Sequence, residues 1–561
     1  MCYTMHMIIK KEDNGISLAE LVEKTGPYPY KILLARVNGK DTELTETVSE
    51  KDEVEFFDMR THSANLVYQR MLSIIYLTAV KKVYEKKGVY GVTAEIQNSL
   101  NKGFFTTIKG VDIVSKKTVS EIEACMKEIV EKDVPVIKET VTKEKAIKIC
   151  NSYGYHEQAE LIASSPETNF KMAFYRLDLE DEDNKEAQRY NFFGPMAPSA
   201  GYADKFELRK YHDAVLLRFP HYKDPDVIPE YSDEVKLYET FEEEHQWLEL
   251  LQTKYLHEIN GAIADGKTRD MILLSEALHE KKIAEIADTI KKKGKRIILI
   301  AGPSSSGKTT FSHRLSTQLR VNGLSPICLG TDDFFVDRKD IPFDENGEQN
   351  FEDLDALDIK LFNKNMNELL AGKEADLPEF DFIDGVKYFG RRITKIDANQ
   401  PIIIEGIHAL NGELTKQIKD EEKFKIYISP LIQLNIDPAN RIPTTDGRMM
   451  RRMVRDNKYR GHSASVTIMS WPKVRAGEDK NIYPFSKEAD VVFNSTLVYE
   501  TCLLKKHVVP LLEAIPEEDP AYSEAQRLLS LLKFFYVIDG DDIVPNNSIL
   551  KEFIGGSVFV E

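Results

Sequence analysis

The sequence predicts an α/β protein organised around a buried parallel sheet that carries a phosphate-binding loop, with smaller units in front of it. Three observations carry that prediction. The stretch Lys295–Phe311, KRIILIAGPSSSGKTTF, reads as an apolar strand, a Gly- and Ser-rich turn and a helix start, and Gly302–Thr309 fits G-x-x-x-x-G-K-[ST]. Four further short apolar runs follow, at Ser325–Gly330, Pro401–Gly406, Lys423–Ser429 and Asp490–Ser495, with helical segments between several of them. That is the pattern of parallel strands buried on both faces. Finally, 561 residues exceed one hydrophobic core, and roughly two to four domains are expected.

Composition narrows the functional classes. Hydrophobic content of 42% with 30% charged residues is that of an ordinary globular chain. No apolar run reaches the length of a membrane span. The N-terminal MCYTMHMIIKKEDNG lacks the apolar core and cleavage site of a signal peptide. Five scattered cysteines without a CxxC pair predict reduced thiols, hence a cytoplasmic protein. A net charge of −17 disfavours wholesale nucleic-acid binding and leaves room only for a local basic patch.

Residues 1–60 predict a small unit: strands in MHMIIKK, KILLARVNG and DEVEFFD, and a helix in SLAELVEKTG ended by Gly26. Through VNGK (Val37–Lys40) and D-x-V-E-F-F (Asp52–Phe57) it resembles the TGS domain, a β-grasp module at the front of threonyl-tRNA synthetases. Residues 61–222 predict a strong helix from Ala64, further helices in SKKTVSEIEACMKEIVEKD and KEKAIKICNSYG, and closing loops and strands. In order and length this α+β region resembles the second additional domain of those synthetases, which edits mischarged tRNA. The family's HxxxH is absent from the whole chain, and GPMAPSAGY stands where its Cys-plus-His segment would lie. His62 could stand for the first histidine; Cys150 and His212 remain as lone residues. The expectation is a retained fold without editing chemistry, serving as an interaction or dimerisation module or as a regulatory site for a nucleotide or tRNA-like ligand.

Residues 223–293 read as a Pro/Asp-rich linker and two long helices ended by Gly261 and Gly294. The stripe Val235, Tyr238, Phe241, Trp247, Leu248, Leu251 and Leu256 predicts a connector packed between the halves or at a homo-oligomer interface.

Residues 294–515 carry the chemistry. The loop glycines let backbone N–H groups turn toward phosphate oxygens, and the helix that follows points its positive end there. Lys308 would reach the β/γ-phosphates and Thr309 would ligate Mg²⁺. In open parallel sheets ligands sit beyond the carboxyl ends of the strands. That rule selects Asp332, after SPICLG, as a proton acceptor, and Glu405, ending PIIIEG, as a holder of the Mg²⁺ shell or a bound water. Between Arg441 and Arg460 lie seven basic residues, opposed only by Asp446 and Asp456. Arg448, Arg452 and Arg455 share one helical face, as a phosphate-clamping lid would require.

Six motifs in order, GPSSSGKTT, TDDFFVDR, NFEDLDALD, LPEFDF, IIIEGIHAL and RRMVRDNKYRG, resemble the uridine kinase and phosphoribulokinase family over about Lys295–Leu512. The resemblance implies a P-loop kinase domain that uses ATP and Mg²⁺ and acts on a small-molecule nucleoside. Gly302, Pro303, Ser304, Ser305, Ser306, Gly307, Lys308, Thr309 and Thr310 would cradle ATP, joined by Arg452 and Arg460. Asp332 would be the general base for a 5′-hydroxyl, with Lys308 and Arg455 as catalytic partners. Phe335, Glu352 (on the ribose), Phe380, Arg452, Arg455 and His462 would line the acceptor site, and Thr309 and Glu405 would hold the metal. The departures fall at the base pocket: Phe380 replaces a tyrosine, Gly385 a histidine and His462 an arginine. The segment LIQLNIDPANRIPTTDGRMM is also longer than the family's. The expected function is nucleoside phosphorylation. Alternatives are a kinase of another hydroxylated metabolite, such as a sugar phosphate or pantothenate-like acceptor, and an ATP-switched tRNA-associated regulator. Residues 516–561 predict a leucine-rich helix, a short capped helix at Ser548–Ile554 and a final strand in GGSVFVE, without evident chemistry.

Overall fold

The computed structural model describes residues 5–165, 171–179, 188–343, 347, 349–350 and 352–560. Phe351, within the NFEDLDALD motif, lies outside the described residues. The chain opens with β1 (Met5–Ile8), α1 (Leu18–Thr25), β2 (Ile32–Val37), β3 (Lys40–Thr42) and β4 (Glu53–Asp58). The strands form an antiparallel sheet in the order β1-β4-β2-β3. Ser17 and Glu20 make a capping box that fixes where α1 begins. Alternation along β4 sends Val54 and Phe56 inward onto Leu18 and Leu21.

Next come α2 (His62–Lys86), β5 (Thr93–Leu100), β6 (Gly103–Lys109), α3 (Lys116–Glu131), β7 (Val136–Thr142), α4 (Lys143–Ser152), α5 (His156–Ser164), β8 (Lys171–Leu177), β9 (Tyr190–Asn191), β10 (Glu207–Tyr211) and β11 (Ala214–Arg218). They build two antiparallel sheets, β10-β11-β6-β5 and β7-β8-β9. The sequence suggests that α2 is amphipathic; the structure buries it on most of its circumference, from Ala64 to Tyr84. A helix apolar nearly all round belongs in a core, and α2 forms the axis of this half.

The connector differs from the sequence expectation. Its first stretch is two helices, α6 (Val235–Leu251) and α7 (Leu256–Ala264), followed by α8 (Thr268–Lys293). The chain breaks at Gln252, which adopts φ 54°, and α7 runs through Gly261 instead of ending there. The break lets the Tyr255 hydroxyl bond Glu95 in the front half, while Glu258 caps the Tyr255 N–H at 2.8 Å. Of the predicted stripe, Phe241, Leu248 and Leu256 are buried, but Val235 is exposed.

The second half comprises β12 (Ile297–Ala301), α9 (Lys308–Val321), β13 (Ile327–Gly330), α10 (Ile359–Leu370), the hairpin β14 (Ala375–Asp381) and β15 (Val386–Thr394), β16 (Ile402–Glu405), β17 (Lys423–Ser429), β18 (Asn435–Asp437), β19 (Asn440–Arg441), α11 (Thr444–Arg460), α12 (Ala464–Asn481), α13 (Tyr483–Ser486) and β20 (Val491–Asn494). The parallel sheet runs β13-β16-β12-β17-β20. Residues Ile297–Ala301 of its central strand are at most 1% exposed. The chain closes with α14 (Glu500–Glu513), α15 (Tyr522–Leu532) and α16 (Lys551–Ile554).

Two further findings bear on function. The long segment after β17 is the seam between the halves. Its β18–β19 hairpin plugs into the front half through Asn435 Nδ2 to Ile96 O (3.0 Å), Gln158 to Asp437 (2.8 Å) and Asn440 Nδ2 to Asn191 O (2.9 Å). No strand forms at residues 555–560. Val558 N instead bonds back to Asn546 O at 3.0 Å, and Phe559 stacks on His313 of α9. Among the described residues no helix is long and apolar enough to cross a membrane.

Candidate active site

The phosphate loop leaves β12 at Ala301 and enters α9 at Lys308. A Cβ at Gly302 would lie 2.0 Å from the Ile428 carbonyl oxygen, so only glycine lets the loop pass β17 this closely. Gly307 adopts φ 84° and packs under Ile549 of the tail. The buried hydroxyls of Ser305 and Ser306 lack a hydrogen-bond partner among the described residues. Lys308 Nζ is parked on the carbonyls of Gly302 (3.1 Å) and Pro303 (3.4 Å). Two orphaned hydroxyls, a lysine held only by carbonyls and a helix N-terminus fit a polyphosphate.

Thr309 Oγ1 donates to Glu405 Oε1 at 2.9 Å, joining the two residues expected to hold the metal. Burial pushes the Glu405 carboxyl up to about 7 against the opposing charge of Lys308. A divalent cation would replace that lost solvation, and hydroxyl plus carboxylate is a donor set that suits Mg²⁺.

Asp332 sits on the turn Thr331–Phe334 that follows β13. Its side chain is reachable from the cleft, yet the surrounding protein raises its carboxyl above the ordinary aspartate range; Lys308 opposes that rise. Glu352 joins it from the next segment, its carboxyl raised by burial and lowered by Arg452. That segment is tied to α12 by Asn481 Nδ2 on the Glu352 carbonyl (2.6 Å) and by Lys480 on Asp353. Behind it His408, 1% exposed, is pushed down to about 4 by burial and stays neutral. Phe335 is buried and packs on Phe380 (5.6 Å) and Phe382 (6.1 Å). Phe380 itself is only 6% exposed, while Phe382 beside it is 54% exposed.

The basic run is more divided than its sequence suggests. Arg452 reaches the loop, donating to Ser304 Oγ at 2.7 Å, and Arg452, Arg455 and Arg460 all gather around the buried Asp456. Arg448 does not belong to this free face. It is 1% exposed, ion-paired with Glu478, and donates to the Ser304 carbonyl at 3.1 Å. Arg451 is fully buried, with both Glu500 oxygens at 2.6 Å and the Ser305 carbonyl at 3.4 Å. These two arginines brace the phosphate loop from behind. Asp446 and Asp456 are therefore not the only opposing charges: Glu478 and Glu500 come from distant sequence. His462 follows the end of α11, exposed, with its N–H on the Asp456 carbonyl at 3.1 Å.

Sequence reasoning missed two acids. Ser304 N donates to Glu478 Oε1 at 3.0 Å, and Thr310 donates to Glu552 through its N–H (3.2 Å) and hydroxyl (2.9 Å). Glu478 therefore holds an N–H of the loop, and Glu552 holds one in the first turn of α9. No local motif marks either residue, and the tail that carries Glu552 was expected to hold no chemistry.

Outside this cleft one group of metal-type ligands converges among the described residues: His62, Asp446 and Glu524. The Arg527 guanidinium already bonds both carboxylates, bidentately to Asp446 at 2.8 Å, and supplies the positive charge there.

A family model described as "Phosphoribulokinase / Uridine kinase family" matches residues 297–501. A uridine kinase of Staphylococcus aureus is 32% identical over 203 residues, spanning 36% of this chain and 87% of that protein. Among solved structures, one titled a possible uridine kinase from Bacillus stearothermophilus shares 21% identity over 38% of this chain and 98% of its own, with a TM-score of 0.26. A D-glycerate 3-kinase from Cryptococcus neoformans shares 14% identity over 45% of this chain and 87% of its own, with a TM-score of 0.21. Through residues 297–501, the chain belongs to the phosphoribulokinase/uridine kinase family of ATP-dependent phosphotransferases.

Proposed function

We propose that the protein transfers the γ-phosphate of ATP to the 5′-hydroxyl of a nucleoside. One observation carries this reading: Asp332, with its carboxyl raised, shares one cleft with Lys308 and Glu352 at the carboxyl edge of the parallel sheet. Asp332 accepts the proton of the attacking hydroxyl, and its raised basicity suits that task. Glu352, fastened to α12, holds the ribose hydroxyls. Lys308 leaves its carbonyl partners for the transferred phosphate, and Arg452, Arg455 and Arg460 spread the charge that develops there. Thr309 and Glu405 would hold Mg²⁺, which neutralises phosphate charge when bound.

A second reading, a kinase of another hydroxylated metabolite, draws on the base pocket. Phe380 is packed into the core, and Gly385, at φ 70°, would place a Cβ 2.9 Å from that of Arg338. A histidine at 385 would collide there. The TGS-like and editing-like front end is read as an assembly or regulatory unit in a cytoplasmic enzyme. Turnover with Mg·ATP against a panel of nucleosides and sugar acceptors separates the readings. Stimulation by one nucleoside, abolished in Asp332→Asn, supports the first. Stimulation only by a non-nucleoside acceptor overturns it in favour of the second.

A further inference from the structure

A cleft of about 80 Å³ lies in the seam, between α2 of the front half and the β19–α11 entry of the kinase half. Its charged lining is Arg70, Arg441, Asp446 and Arg527. Asp446 is engaged by Arg527 through two 2.8 Å bonds, and Arg527 also holds Glu524 at 2.7 Å. That leaves two half-buried guanidinium groups, Arg70 and Arg441, with no ion-pair partner among the described residues. Arg70 donates only to the neutral carbonyls of Pro195 (2.9 Å) and Phe193 (3.3 Å). The acids that act on it from further off, Asp41 and Glu43, are themselves paired with Arg36 and Lys138. The Arg441 guanidinium lies 4.8 Å over the Phe104 ring and makes no hydrogen bond or ion pair with any described residue, Asp446 acting on it only from further off.

Loss of hydration lowers both guanidinium groups to about 10, aided by the nearby Arg527 at Arg70 and only partly offset by Asp446 at Arg441. Elsewhere in the chain buried arginines have carboxylates: Arg448 has Glu478, Arg451 has Glu500 and Arg314 has Glu276. Two unpaired guanidinium groups lining one opening present forked donors that match a tetrahedral oxyanion. The volume suits a phosphoryl group but not a whole nucleotide, and aromatic rings (Phe104, Phe192, Phe193) line the remaining wall.

We propose that the seam cleft is a binding site for a phosphoryl group, either inorganic phosphate or the phosphate end of a small phosphorylated metabolite, held by Arg70 and Arg441. Arg441 lies three residues before α11, which carries the lid arginines, so occupancy bears on how the front half and the lid are held together.

The test is calorimetric titration of the full chain with its phosphate loop filled by Mg²⁺ and a non-hydrolysable ATP analogue. Inorganic phosphate is expected to bind one site per chain, at least tenfold more weakly in Arg441→Gln and in Arg70→Gln. A small phosphate monoester, glycerol 3-phosphate, titrated in a second arm, identifies the source. If its wild-type Kd is below that of phosphate and it is weakened by the same substitutions, the ligand is a phosphorylated metabolite. If only phosphate responds, it is the free ion. Arg441→Lys, which keeps the charge and loses the fork, serves if the glutamine variants do not fold, and is expected to bind severalfold more weakly. No saturable phosphate site in the wild type, or equal affinity in wild type and variants, overturns the proposal.

Discussion

Two pairs of arginines flank the same stretch of chain and are treated oppositely by the fold. On the kinase side Arg448 and Arg451 are each matched by a carboxylate and grip the carbonyls of the phosphate loop. On the seam side Arg70 and Arg441 are half-buried, and neither forms an ion pair with a carboxylate among the described residues. A matched buried pair is a structural brace, because losing either member leaves an isolated charge. An unmatched cation drawn partly out of water keeps an unmet demand for an anion. The contrast assigns scaffolding to one pair and binding to the other, and it can be broken at several points.

The largest effect is expected at the chemistry that the braces support. Asp332→Asn should lower kcat by about 10²–10⁴-fold, the usual weight of a general base, while ATP affinity is retained. Because protein around Asp332 raises its carboxyl, the acid limb of the wild-type pH–rate profile should fall above the usual aspartate range. Full activity in Asp332→Asn would remove it from the mechanism.

Next in size is the brace itself. Arg451→Met strands Glu500, which is 1% exposed, without its partner. Breaking a buried pair in this way typically costs about 3–5 kcal/mol. The check is chemical unfolding of the variant. A loss below about 1 kcal/mol, the scale of a surface ion pair, would show that the pair does not brace the loop.

How far these roles could be read in the sequence follows from where each interaction lies. The loop Gly302–Thr309, Asp332 and Glu405 are legible because strand, turn and chemistry are contiguous, and the parallel-sheet rule points at the residue after each strand. Arg448 and Arg451 are not, since their partners Glu478 and Glu500 lie 30 and 49 residues away. From periodicity alone Arg448 belongs with Arg452 and Arg455 on one face; tertiary packing divides that face. The long segment before α11 registers in the sequence only as an excess of length, because its partners, Ile96, Gln158 and Asn191, belong to another part of the chain. The break at Gln252 is invisible for a similar reason, since it serves the Tyr255–Glu95 contact.

A smaller effect is expected at the tail. Glu552 holds the N–H and hydroxyl of Thr310 at the start of α9, where negative charge from phosphate would otherwise lie. Glu552→Gln removes that competing charge and keeps the side-chain volume. ATP affinity should rise severalfold, most at low ionic strength, read by equilibrium titration of a labelled nucleotide. Unchanged or weaker binding would mean that the tail supports the nucleotide site instead of competing for it.

The finest test of the contrast is a sign. Arg441→Met, assayed by unfolding in phosphate-free buffer, removes a half-buried cation that lies over the ring of Phe104 and forms no ion pair with any described residue. The lost cation–π contact is worth about 0.5–2 kcal/mol, while relief of the uncompensated charge works in the other direction. Stability should therefore hold or rise, the opposite of Arg451→Met. Added phosphate should reverse the order, because a ligand that binds only the folded wild type stabilises it by RT ln(1 + [L]/Kd) and leaves the variant behind. A loss in Arg441→Met as large as that in Arg451→Met, with no response to phosphate in either protein, would make the seam arginines braces as well.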